Sequence, residues 1–230
     1  MKISLSEKRQ INKLGLETFF LSLENNSYDS VITKTIDFHE KKIIELRDSL
    51  SSKYIDDSIN DEWEIIFLEQ ELKAVTEMKI IYAYKDFEIK LKFLISATYQ
   101  KFDKSKMYNW EFIIDFLKTR RIDVKNVDGY SEVEELRNVN NALKHSNIFE
   151  SKVLPKEFKN KKSITYKDIL AFYSRIEEAP KKFLINLSSF FLKDLYEFDG
   201  NRINEIADRI ALRMDKKNAE LLIKKIKEKY

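Results

Sequence analysis

Residues 60–101, NDEWEIIFLEQELKAVTEMKIIYAYKDFEIKLKFLISATYQK, run without a single glycine or proline. Trp63, Ile66, Phe67, Leu72, Val75, Met78, Ile81, Tyr82, Phe87, Leu91, Leu94 and Ile95 recur in this stretch at short helical steps. That spacing predicts one apolar face of an α-helix. The stripe is crowded with aromatics, but it keeps its helical period throughout, so it reads as core and not as a ligand box. The segment outruns an ordinary globular helix, and therefore either kinks or forms the spine of a bundle.

The rest of the chain agrees with an all-α fold. Only 3 glycines and 2 prolines occur in 230 residues, too few for the regular turns that sheets and hairpins need. Hydrophobic residues at 43% and charged residues at 35% describe a folded chain and not a disordered one. The formal charge of +3 is not the footprint of a dedicated nucleic-acid binder. With no cysteine, disulfides, thiolate metal sites and cysteine catalysis are excluded. The N-terminal residues, MKISLSEKRQINKLG, do not read as a signal peptide, and no window is apolar enough to span a membrane. A cytoplasmic location is the expectation.

Helices are expected on either side of the spine. Ser4 or Ser6 caps a first helix, with Ile11, Leu14, Leu16, Phe19, Phe20 and Leu23 forming its apolar side. A second covers about residues 28–54, with Val31, Ile32, Thr35, Phe38, Ile43, Leu46 and Leu50 as its stripe. His39-Glu40 inside it invites comparison with the zinc motif H-E-x-x-H, but Ile43 stands where the second histidine belongs. His39 is therefore read as a surface or boundary residue. Asn109 caps a short helix at 110–119, and residues 120–129 form a loop containing Gly129. Thr165 caps a helix at about 166–178, and Pro180 lies near the start of another that ends before Asp199-Gly200, read as a helix stop. Two amphipathic helices divide at Asp215, and the KKIKEK run in the second reads as a solvated face. On this reading residues 1–56 are an N-terminal helical extension, 57–198 the main bundle, and 199–230 C-terminal helices packed on it.

One segment carries candidate chemistry: residues 130–146, YSEVEELRNVNNALKHS. Ser131 and Glu134, three residues apart, predict a capping box. Val133, Leu136, Val139 and Leu143 predict the buried stripe, with Asn140 on the core side and in need of hydrogen-bond partners there. Arg137, Asn141 and His145 lie on one arc beside that stripe, with Lys144 nearby. A guanidinium can hold a phosphate through its planar fork of donors. An imidazole can move the proton of a 2′-hydroxyl or of a leaving oxygen. The same residue types also suit the end of a helix for capping reasons alone.

The run LRNVNNALKHS, preceded by a long aromatic-rich helix and a short helix starting at Trp110, resembles the HEPN superfamily over about residues 62–195. The resemblance implies a helical bundle with an Arg–polar–His signature. It further implies a metal-independent endoribonuclease of the toxin–antitoxin, abortive-infection or phage-defence kind, with no cofactor. Such a site forms across a homodimer, acts on RNA and is associated with an antitoxin or another defence protein. Arg137 and Asn138 then match the phosphate-binding pair and His145 the proton-transfer residue, with Asn141 and Lys144 assisting. The spacing departs from the pattern: seven residues separate Arg137 from His145, where the superfamily usually leaves four to six. The alternative is a non-catalytic helical module that binds a partner protein or nucleotide.

Overall fold

The spine predicted at 60–101 is a single uninterrupted helix. In the computed structural model, which describes residues 4–18, 27–50, 55–99, 102–145 and 155–230, it runs as Ile55–Thr98, 44 residues and about 66 Å long. In chain order the helices are α1 (Leu5–Thr18), α2 (Ser27–Leu50), α3 (Ile55–Thr98), α4 (Trp110–Thr119), α5 (Tyr130–His145), α6 (Tyr166–Ile176), α7 (Ala179–Tyr196), α8 (Gly200–Ala211) and α9 (Lys216–Lys227). There is no strand among the described residues, so the protein is an all-α bundle. None of these helices is long and apolar enough to cross a membrane.

α3 passes through three buried clusters in turn. Near its start, Ile65, Leu68 and Leu72 pack against Ile32, Ile36 and Ile43 of the antiparallel α2. Arg47–Glu69 at 2.6 Å, Lys42–Glu64, and His39–Glu71 at 2.9 Å cross between the two helices. His39 also holds the Thr35 carbonyl at 2.8 Å, which makes it a boundary residue between α2 and α3. In the middle, Ile80 meets Leu136 and Val139 of α5 and Ile169, Phe172 and Ile176 of α6. Towards the end, Phe87, Leu91, Leu94 and Ile95 join Trp110, Ile113 and Leu117 of α4 and Phe183, Leu187 and Phe191 of α7. The boundary expected at residue 56 falls just inside the start of α3, a helix that shares a buried cluster with α2.

The expected stripe of α3 is corrected in its first half. Trp63, Ile66, Phe67 and Met78 are exposed, while Ile65, Leu68, Leu72 and Thr76 are buried. α3 carries apolar residues all round, so periodicity alone does not pick the side that α2 covers. For the same reason Val31 and Phe38 of α2 and Ile11 and Leu14 of α1 are exposed, whereas Leu16 is buried. Phe19, Phe20 and Leu23 lie outside the described residues.

Most helix starts follow their expected caps. Ser4 and Glu7 bond each other's backbone N–H groups, Asn109 accepts from Phe112 N at 3.1 Å, and Thr165 with Asp168 forms a capping box. Two expectations are corrected. Ser131 bonds Glu132 at 2.7 Å, and Glu134 accepts from the Tyr130 hydroxyl, so no Ser131–Glu134 box forms. The helix instead opens two residues earlier, on the Gly129 carbonyl. α7 ends at Tyr196, before Asp199-Gly200 as expected, but Asp199 itself caps the start of α8 by accepting from Arg202 N at 2.7 Å.

From Pro155 on, Phe158 is buried in the middle cluster and Arg175 pins the segment. Its guanidinium bonds Glu157 at 2.7 and 3.0 Å and Glu135 of α5 at 2.6 Å. The bond to Arg175 holds the Glu157 carboxyl below its usual range against the opposing effect of burial. A carboxylate depressed in the folded state stabilises above its unfolded value, and that stabilisation is lost as pH falls through the folded value. Glu157→Gln should therefore melt below wild type at pH 7, and the gap between the two melting temperatures should close in acid. A gap that persists unchanged to pH 3 would sink the assignment.

Candidate functional site

α5 is held from below by Val133, Leu136 and Val139, which are fully buried, while Leu143 is half-buried at its far end. This fixes the rotation of the helix and brings its polar arc to the edge of the bundle. Arg137, Asn141 and His145 stand at successive four-residue steps along α5, forming one ridge. Arg137 and Asn138 are half-buried; Asn141, Lys144 and His145 are exposed. Ser146 lies outside the described residues.

The two ends of the ridge differ. Arg137 is seated in an aromatic corner, its guanidinium 5.9 Å from the centre of the Trp110 ring and within reach of the Tyr84 hydroxyl of α3. Among the described residues no carboxylate pairs with it within 4.0 Å; Glu134, one turn away, takes the Tyr130 hydroxyl instead. Burial pushes the Tyr84 hydroxyl up to about 12, with Glu88 adding to the rise and Arg137 opposing it. Burial and Glu134 likewise raise Tyr130. Both phenols are thus neutral near pH 7, and neither offsets the positive charge of Arg137 beside them.

Asn140 lies beneath the ridge and is 1% exposed. Its amide donates to Asn141 Oδ1 at 3.2 Å, which orients a member of the ridge from inside the core. Its own Oδ1 is buried and accepts no hydrogen bond among the described residues. An unpaired buried acceptor costs about 1–3 kcal/mol, and groups left in that state call for an explanation such as a working site.

No family model, curated protein or solved structure matches this chain. The arrangement is therefore judged on its own geometry. Arg137 and His145 are eight residues apart, about 12 Å along the axis and roughly 80° around it. A single chain does not bring them to one reacting atom. Asn141, midway between them, is within one turn of each. No group of three or more His, Asp or Glu side chains that could hold a metal occurs among the described residues.

Tyr84, Trp110 and Tyr130 are the parts of the site that sequence reasoning missed. Trp110 was expected only as core, and Tyr84 is one of several aromatics on α3. Nothing local in either segment identifies it as a neighbour of Arg137. The one available signal was the aromatic crowding of α3 beside a helix carrying an arginine.

Proposed function

We propose that this protein is a metal-independent endoribonuclease of the HEPN type, acting in the cytoplasm in a toxin–antitoxin or phage-defence setting. The observation that carries the reading is the Arg137 guanidinium: half-exposed, without a carboxylate partner among the described residues, and held beside Tyr84 and Trp110. A cation in that state suits a phosphodiester, because it has donors to offer and loses no ion pair in offering them.

In the proposed reaction Arg137 and Asn138 hold the scissile phosphate, and Asn141 orients it. His145 accepts the proton of the 2′-hydroxyl as that oxygen attacks phosphorus. The P–O5′ bond breaks, the leaving oxygen takes a proton, and the products end in a 2′,3′-cyclic phosphate and a 5′-hydroxyl. Lys144 adds charge along the strand. The axial separation within one chain favours Arg137 of one copy working with His145 of another, in a homodimer of the kind the resemblance implies.

The same separation favours a second reading, a helical module that binds RNA, a nucleotide or a defence partner without cleaving. An RNA cleavage assay in EDTA on tRNA and mRNA separates the two. Wild type is expected to cut and leave cyclic phosphates, with His145→Ala reducing the rate by about 10²–10⁴ while its helical content is unchanged. RNA binding that depends on Arg137 without any cleavage would select the binding module. Neither binding nor cleavage would remove both readings.

A further inference from the structure

We propose that two copies of this chain pair antiparallel along the outer face of α3, each C-terminal hairpin α8–α9 seating on Trp63 and Phe67 of the other copy. Two unpartnered surfaces lead to this. The first is the side of α3 turned away from the core, where Trp63, Phe67, Ala74, Met78 and Ile81 fall within roughly 60° of one another. Trp63 is 56% and Phe67 58% exposed, their rings 6.4 Å apart. Exposed apolar residues at helical spacing mark a helix face that another element covers.

The second surface is the hairpin itself. α8 and α9 are amphipathic, yet neither buries a residue. Ile203, Ile206, Ile223 and Ile226 are all partly to half exposed. The hairpin is nonetheless firmly rooted. Arg202 donates to the carbonyls of Lys193 at 3.1 Å and Glu197 at 2.8 Å, and also bonds Asp194. Arg121 pairs with Glu205.

Charge selects the occupant. From Ile55 to Met78, α3 holds eight carboxylates against one lysine, and α2 brings five carboxylates against four cations. Gly200–Tyr230 holds nine cations against five carboxylates, a surplus larger than the +3 of the whole chain. An acidic apolar face and a basic apolar face complement each other; two copies of either one repel.

Distance then makes the contact intermolecular. Asp194, at the root of the hairpin, accepts from the Tyr99 hydroxyl at 2.8 Å, so the root lies beside the C-terminal end of α3. Trp63 is 36 residues back from Tyr99, about 54 Å along the helix, and a 12-residue α8 or α9 spans only about 18 Å. In an antiparallel pair with its two-fold axis near Ile81, each root stands opposite the other copy's Trp63. The contact is then made twice. α5 packs against the Ile80 side of α3, so this pairing is separate from the Arg137 ridge and does not rest on the nuclease reading.

The test uses the full chain in sedimentation equilibrium at about 100 μM, well above a micromolar dissociation constant. Wild type is expected to self-associate through this contact, as a dimer or, with pairing across α5, as a larger species, and to weaken as salt rises. Trp63→Asp/Phe67→Asp and Ile223→Asp/Ile226→Asp, all at exposed positions, should each keep their helical content and weaken association by more than about thirtyfold. Mixing the two variants should restore a heterodimer, because one of the two contacts is intact in the mixed pair. A monomeric wild type would overturn the proposal. So would self-association equally strong in wild type and in both variants, which places the pairing elsewhere; a weaker residual dimer in the variants, as across α5, means that this contact is lost and the ridge pairing kept, as proposed. Co-sedimentation of monomeric protein with phosphatidylserine vesicles would assign the hairpin to a lipid surface and overturn it as well.

Discussion

Gly129→Val is expected to lower stability by about 2–5 kcal/mol, from backbone strain of about 1–2 kcal/mol and overpacking of about 1–3 kcal/mol. Gly129 has φ +92, in the left-handed region that a β-branched residue rarely enters. A Cβ there would stand 2.9 Å from the Ala179 carbonyl oxygen and 3.2 Å from Phe183 Cβ. The obstructing atoms belong to the backbone and first carbon of α7, so they cannot swing aside as a flexible side chain would. At about 2–4 °C per kcal/mol for a chain of this size, the loss in melting temperature is of order 10 °C by circular dichroism. A shift under about 2 °C would mean that the α5–α7 junction relaxes freely, contrary to the tight contact described. The effect reaches the ridge as well, because the Gly129 carbonyl is the first acceptor of α5.

Phe172→Ala should cost a similar amount, about 3–5 kcal/mol. Phe172 is 0% exposed and packs with Ile80, Leu136, Val139 and Ile176, with the Phe158 ring 5.4 Å away. Removing the ring leaves a cavity under the middle of α5, beside the Arg175 guanidinium that lies 5.5 Å over it. Phe38→Ala is the control. That ring is 65% exposed, and its loss should change stability by no more than about 0.5 kcal/mol. Urea unfolding of the two variants separates them. Equal costs would contradict the register assigned to α2 and α6.

The architecture was legible where local chemistry decides it. The scarcity of glycine and proline, the unbroken period of α3, and the caps at Asn109 and Thr165 all act within a few residues of themselves. What depended on tertiary contact was less legible. The outward turn of Trp63 and Phe67 follows from where α2 lies, not from their own spacing. Gly129, and not the Ser131–Glu134 pair, starts α5, because α7 presses on that point from fifty residues downstream. In the site, the ridge of Arg137, Asn141 and His145 followed from the helical period, since it involves one helix only. The aromatic seat of Arg137 did not, because Tyr84 and Trp110 reach it from two other elements.

The segregation of charge along α3 has an effect before any contact forms. Carboxylates gathered at one end of the bundle and cations at the other, about 50 Å apart along the spine, give each molecule a large permanent electric dipole. Two such molecules drifting together exert torques on each other that favour opposed orientation, the more so in dilute salt where the Debye length reaches about 30 Å at 0.01 M. Collisions are thereby biased toward antiparallel approach, which raises the share of encounters that arrive with the right faces opposed. The asymmetry that leaves each end of a single chain uncovered also aligns it with its neighbour.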